Sequence, residues 1–206
     1  MSVTPDHPAE ASRAEARRAQ IRAAASDCFR QHGFHGTSIA QISKTAGMST
    51  GHIYHYFENK EAIIADIVAQ DLQRSLTLTA ELRSARDVRS AMIERAIEGI
   101  ERNLDPGTAA LQLEIVAEAA RNPRVAEIVR AADQSCRDSL ACTLRTLRQA
   151  TGHQDDAATL AGMVEALYAL FEGLRIRAIR NPDIDRGALV RTFRRMVSDL
   201  LTHAGS

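Results

Sequence analysis

The stretch Ser49-Thr50-Gly51-His52-Ile53-Tyr54-His55-Tyr56-Phe57 concentrates neutral hydrogen-bonding side chains in a short run. At helical spacing Thr50, His52 and His55 offer donors and acceptors, Gly51 permits close approach of a bound surface, and Ile53 and Phe57, four apart, face inward. A neutral imidazole at His52 can donate or accept. This is equipment for reading a surface. Immediately upstream, Ser38 and Gln41 have the spacing of a capping box, Gly47 can supply the left-handed backbone of a tight turn, and Met48 can plug the angle between two helices. Two short helices around a glycine turn form a helix-turn-helix, in which the second helix enters the major groove of DNA and the first braces it.

Other residue sets point to weaker chemistry. Cys28, His32 and His35 follow at four- and three-residue spacing, and His52 with His55 repeats such a pair, a pattern compatible with a metal. A closed zinc site wants four ligands, however, and Cys28 beside Phe29 sits on an apolar face where a thiol behaves as a small hydrophobe. Cys136 and Cys142, six apart, point in different directions on one straight helix, so no bond joins them there; a thiolate beside Arg137 or Arg145 would be needed for redox sensing. Glu114 and Glu118 share one helix face and could attract a cation or simply be solvated. No GxSxG, HExxH or glycine-rich phosphate loop occurs, so neither catalytic residues nor a cofactor nor a resident metal is expected. The alternative is a helical enzyme, or a metal or thiol sensor without a specific operator.

The elements that position the first set are helical. The 206 residues are 45% hydrophobic and only 4% aromatic, without tryptophan, and no stretch alternates as a half-buried strand does. Basic and acidic residues balance at 26 each, so any cationic surface must be local. The odd set of three cysteines, the lack of a signal core and of a bilayer-length apolar run predict a soluble, cytoplasmic protein with no membrane partner. Residues 1–11 read as a flexible arm. Ile21, Ala24, Ala25, Cys28 and Phe29 then mark a helix ending at Gly33, and Asn59 can cap a long fourth helix from Lys60 to about Arg83. Breaks at Asp105-Pro106-Gly107, Asn122-Pro123, Gly152 to Asp156 and Asn181-Pro182-Asp183 leave five further helices. The fold class is therefore all-α with about nine helices: a three-helix head over residues 12–58 and a body over 59–206.

The run SIAQISKTAGMSTGHIYHYFENKEAI, with Phe29, Gly33 and Thr37 before it, resembles the head of the TetR family of transcriptional regulators from Thr37 to Ile63. The resemblance implies that Thr50, Gly51, His52 and His55 meet bases or the groove floor, that Thr37, Tyr54, Tyr56 and Lys60 grip phosphates, and that Ser49 belongs to the same set. Lys44 could add a backbone contact. His52 occupies a position that varies in the family and helps to set the operator sequence. The resemblance also implies a homodimer on a palindromic double-stranded DNA operator, most simply a repressor released by a small-molecule effector. The apolar stripes Leu160, Val164, Leu170, Leu174 and Leu189, Phe193, Met196, Val197, Leu200 are then the expected dimer face. The expected pocket has Leu111, Ile115, Met163, Leu167 and Phe171 as walls and Glu114, Glu118 or Tyr168 as polar anchors.

Overall fold

A computed structural model describes residues 7–202, with side chains placed from Ala11 to Leu201. Among the described residues there are nine helices and no strand: α1 (His7–Gly36), α2 (Ile39–Ala46), α3 (Thr50–Tyr56), α4 (Lys60–Ser84), α5 (Val88–Asn103), α6 (Pro106–Ala119), α7 (Pro123–Ala150), α8 (Ala157–Arg180) and α9 (Arg186–Thr202). Of the arm expected over residues 1–11, residues 1–6 lie outside the described residues, and from His7 onward the chain is helical, ahead of the expected start at Ser12. The chain divides into two compact units, one formed by residues 1–68 with 114–128, the other by 69–113 with 129–206. The first unit thus extends past the expected head boundary at residue 58 and takes in the end of α6 and the start of α7.

In the first unit, α1 buries Ile21, Ala24, Ala25, Cys28 and Phe29, the face its three- and four-residue periodicity predicts. Gly33 breaks it with φ 71° and ψ 168°, a backbone state open to glycine and strained for any residue with a Cβ. Ser38 and Gln41 form the capping box of α2 in both directions, at 3.1 and 2.7 Å. Gly47 ends α2 in the left-handed conformation (φ 62°), returning its amide to Lys44 and Ser43. Ser43 Oγ donates to the carbonyl of Met48 at 2.6 Å, so the turn is fixed by side chain and backbone together. Asp66 on α4 accepts from Arg18 at 2.6 Å and from Arg22 at 2.5 Å, tying α4 to α1. Burial raises the Asp66 carboxyl, but the two arginines outweigh it and hold the group below its ordinary range.

In the second unit, Leu82, Met92, Leu144, Leu147, Leu160, Val164, Leu167, Val197 and Leu201 form one apolar core, and Ile100, Leu104, Ala109, Leu174, Ala178 and Phe193 another. Prolines 106 and 123 open α6 and α7, where a missing amide costs nothing. Arg148 is almost fully buried; it pairs with Asp155 of the α7–α8 loop and donates to the carbonyl of Leu200 at 2.8 Å, so one charge fastens that loop to α9.

α8 is, by length and composition, one described helix apolar enough to cross a bilayer, a property that reading for uninterrupted apolar runs passed over. Its Leu160, Val164, Leu167 and Leu174 nevertheless pack into the cores of its own chain.

Candidate functional site

The turn at Gly47 delivers α3 as an exposed helix. Ser49 caps it, accepting from the amide of His52 at 3.2 Å. Ile53 and Phe57 are buried, which anchors the inner face, while Ser49, Thr50, Gly51, His52, Tyr54 and His55 are exposed. The His52 ring stacks on Tyr56 (centroids 5.4 Å apart, 17° between planes), and His55 meets Tyr56 edge-on at 4.9 Å. The two imidazoles are thereby held on one aromatic platform with their polar edges available. Lys44 is exposed on α2. No acidic residue occurs between Gly36 and Glu58, so nothing in this segment repels a polyanion.

Two residues expected at phosphates are placed differently. Thr37 is buried, and its hydroxyl donates to the carbonyls of Gly33 at 2.8 Å and Cys28 at 3.1 Å. Lys60 Nζ donates to the carbonyls of Phe34 at 2.6 Å and Thr37 at 2.7 Å and lies 4.4 Å over the Phe34 ring. These two side chains thereby bond carbonyls on either side of the break at Gly33. Cys28 is buried with its sulfur 3.5 Å from Thr45 Oγ1.

The expected effector residues separate into different places. Glu114 accepts the amide of Phe34 at 2.6 Å. Glu118 is buried, 3.0 Å from His35 Nε2, and accepts from Asn122. Both glutamates, with Ile115, therefore belong to the first unit and hold the end of α1. Leu111 and Met163 do not line the cavity found in the second unit; Leu167, Tyr168 and Phe171 do. That cavity, of about 200 Å³, lies among α4, α5 and α8, with Leu140 of α7 and Val197 of α9 also lining it. Its polar lining was missed: Arg95, Arg102 and Asn103 on α5, and Glu172 and Arg175 on α8. The available signal was an arginine one residue beyond the apolar stripe Leu167, Leu170, Phe171, Leu174. Burial pushes the Tyr168 hydroxyl pKa well up, with Cys136 and Asp133 adding to it.

Residues 21–67 match the family model described as bacterial regulatory proteins of the tetR family, and residues 85–202 match that of the BetI-type transcriptional repressor C-terminal region. The chain belongs to the TetR family. Among its TetR relatives, the HTH-type transcriptional regulator UidR of Escherichia coli K12 is 32% identical over 136 residues, 66% of this chain and 68% of UidR. The solved structure of Salmonella enterica GusR superimposes with a TM-score of 0.75 at 30% identity, covering 91% of this chain and 96% of GusR. FadR of Bacillus subtilis, solved with stearoyl-CoA, shares the TetR fold (TM-score 0.73, 17% identity, 90% of this chain and 98% of FadR). The family and these relatives make the chain a DNA-binding transcriptional regulator.

The expected TetR dimer face lies largely within its own chain. Leu160, Val164, Leu174, Phe193 and Val197 are buried within their own chain, and Leu170, Leu189 and Leu200 pack half-buried against the same cores. The buried members of this set have little surface left to offer a second copy. Of the expected set only Met196 is well exposed, at 42%. On α8 the outward residues include Ala161, Gly162, Ala166, Ala169, Ile176 and Ile179, the two isoleucines 44% and 54% exposed.

Proposed function

We propose that the protein is a homodimeric repressor that reads a palindromic operator with two copies of α3 and leaves it when a small molecule occupies the cavity of the second unit. Gly51 carries the DNA reading. A Cβ at Gly51 would meet nothing within 4 Å, so the fold does not require glycine there. Glycine in a helix costs about 1 kcal/mol relative to alanine, and a helix that must lie close against a groove floor accounts for it. In this reading Thr50, His52 and His55 face base edges, while Ser49, Tyr54, Tyr56 and Lys44 contact the phosphate backbone. Thr37 and Lys60 act indirectly, by holding the end of α1 against α4.

Dimerisation rests on the outward face of α8 with Met196 of α9. Its small residues let a second helix approach closely, its isoleucines lack cover, and one short recognition helix alone gives little affinity. A second copy supplies both the cover and the second head. The cavity, apolar along most of its wall with a few convergent polar groups, has the character of a small-molecule site.

The test is fluorescence anisotropy of the protein on DNA from its own upstream region at fixed salt. Wild type is expected to bind this DNA specifically, with His52→Ala changing which base substitutions are tolerated and Tyr54→Ala weakening all sequences alike. Binding that is equal on unrelated DNA and vanishes with modest salt would refute the operator reading.

A further inference from the structure

The cavity of the second unit is polarised along its length. Leu82, Met92, Leu167 and Val197 share one apolar core, while Arg102, Asn103 and Arg175 lie where α5 and α8 have run on from it. From Met92 to Asn103 the helix advances about 16 Å. Of the polar groups nearer the apolar stretch, Thr79 is bonded to Ser139 and Arg95 is paired with Glu81 and Glu98, so a ligand that fits has an apolar body and its charged end toward Arg175.

The polar end centres on Arg175. Its Nε donates to Asn103 Oδ1 at 2.8 Å, and Asn103 is itself fixed by donating to the carbonyl of Gly99 at 2.8 Å. This uses one edge of the guanidinium; among the described residues Nη1 and Nη2 have no hydrogen-bond partner and no carboxylate within 4 Å. The acidic groups around it are otherwise placed. Asp71 is taken by Gln112 at 2.7 Å and by Arg74 at 3.3 Å, and Glu172, exposed and one turn before Arg175 on the same helix, lines the cavity without forming an ion pair with it among the described residues. Of the other cations at the cavity, Arg95 is paired with Glu81 and Glu98, while Arg102 is exposed and adds positive potential. Burial pushes the Arg175 pKa down; the Glu172 and Asp71 charges oppose this and Arg102 reinforces it. A half-buried guanidinium whose open end has no paired anion presents two donors to a ligand's charge.

We infer that the effector is an organic anion, a carboxylate on an apolar body, whose two oxygens are taken end-on by Nη1 and Nη2 of Arg175. Two parallel N–H donors in one plane match the two coplanar oxygens of a carboxylate. The apolar body extends toward Leu82, Met92, Leu167 and Val197, where it is removed from water. This rests on the effector-responsive reading above and names the ligand class that reading leaves open.

Two measurements on the full-length protein test it. By calorimetric titration, octanoate and phenylacetate are expected to bind wild type about tenfold or more tightly than octanamide and phenylacetamide. Arg175→Met should erase that preference and Arg175→Lys should keep part of it. Acids no better than amides, or an acid preference that survives Arg175→Met, would sink the assignment. Anisotropy on the upstream DNA, run with the same variants, separates the two levels. Wild type that binds the acids without releasing DNA refutes effector control and leaves the Arg175 site standing, whereas release by amides and acids alike refutes only the Arg175 assignment.

Discussion

Asp66 carries the acid sensitivity of the first unit. Burial opposes its charge, yet Arg18 and Arg22 hold its pKa below the ordinary carboxylate value. A carboxyl whose folded pKa is depressed contributes stability that is complete above its unfolded pKa and lost as pH falls through the folded one. Thermal melts from neutrality toward pH 3 should therefore lose stability below about pH 4. In Asp66→Asn the melting temperature is expected to start several degrees lower, because Arg18 and Arg22 lose the carboxylate they share, and to fall less steeply with acid. An unchanged acid slope would remove Asp66 from this role. At this scale the sequence was legible where a residue type answers to one environment: Gly47 in the left-handed turn, Ser38 and Asn59 at helix starts, Ile53 and Phe57 inward. It was not legible where a polar side chain could serve either solvent or backbone. Thr37 and Lys60 read as phosphate contacts through the family resemblance, and only the folded chain shows the carbonyls of Cys28, Gly33, Phe34 and Thr37 that they satisfy.

Elements were legible to within a residue or so where prolines, caps and apolar periods agree. The bounds Ala157–Arg180 match the expected α8, and Pro106 and Pro123 begin α6 and α7 as their missing amides require. The faces of those helices were less legible. An apolar stripe states that something is covered without saying by what, so the stripe of Leu160, Val164 and Leu174 was assigned to a second copy when its own chain buries it. The small-residue face opposite carries little hydrophobic signal in sequence. Capping is the element-scale term most open to measurement. Ser38→Ala removes the acceptor for the Gln41 amide and frees the Gln41 side chain that returns to Ser38. A loss of about 1 kcal/mol is expected, lowering the melting temperature by roughly 2–4 °C. DNA affinity at saturating stability should barely move, and a large loss of affinity with no loss of stability would mean that Ser38 touches DNA itself.

At the scale of the whole molecule, the compact units do not follow the expected linear division. Residues 114–128 belong with the head although they are distant from it in sequence, held by the hydrogen bond from Phe34 to Glu114 and the pairing of His35 with Glu118. Contacts of this range leave no local periodicity, which is why the two glutamates read as pocket anchors. The dimer proposal belongs to this scale too. Ala169→Arg, on the exposed face of α8, is expected to yield monomers in sedimentation velocity with an intact helical spectrum, and to weaken operator binding by about a hundredfold through loss of the linked second head. Dimers that persist at micromolar concentration would place the seam elsewhere.

Arg175 and Ile176 are neighbours on one helix, the first half-buried in the cavity wall and the second turned outward. If the cavity seats an anion and the outer face seats a second copy, a few degrees of roll in α8 cannot serve one neighbour without disturbing the other. The two binding sites of a dimer would then share a common crankshaft. Occupancy in one subunit should alter the appetite of its twin, and the titration curve should depart from a simple hyperbola in the dimer while returning to one in the Ala169→Arg monomer.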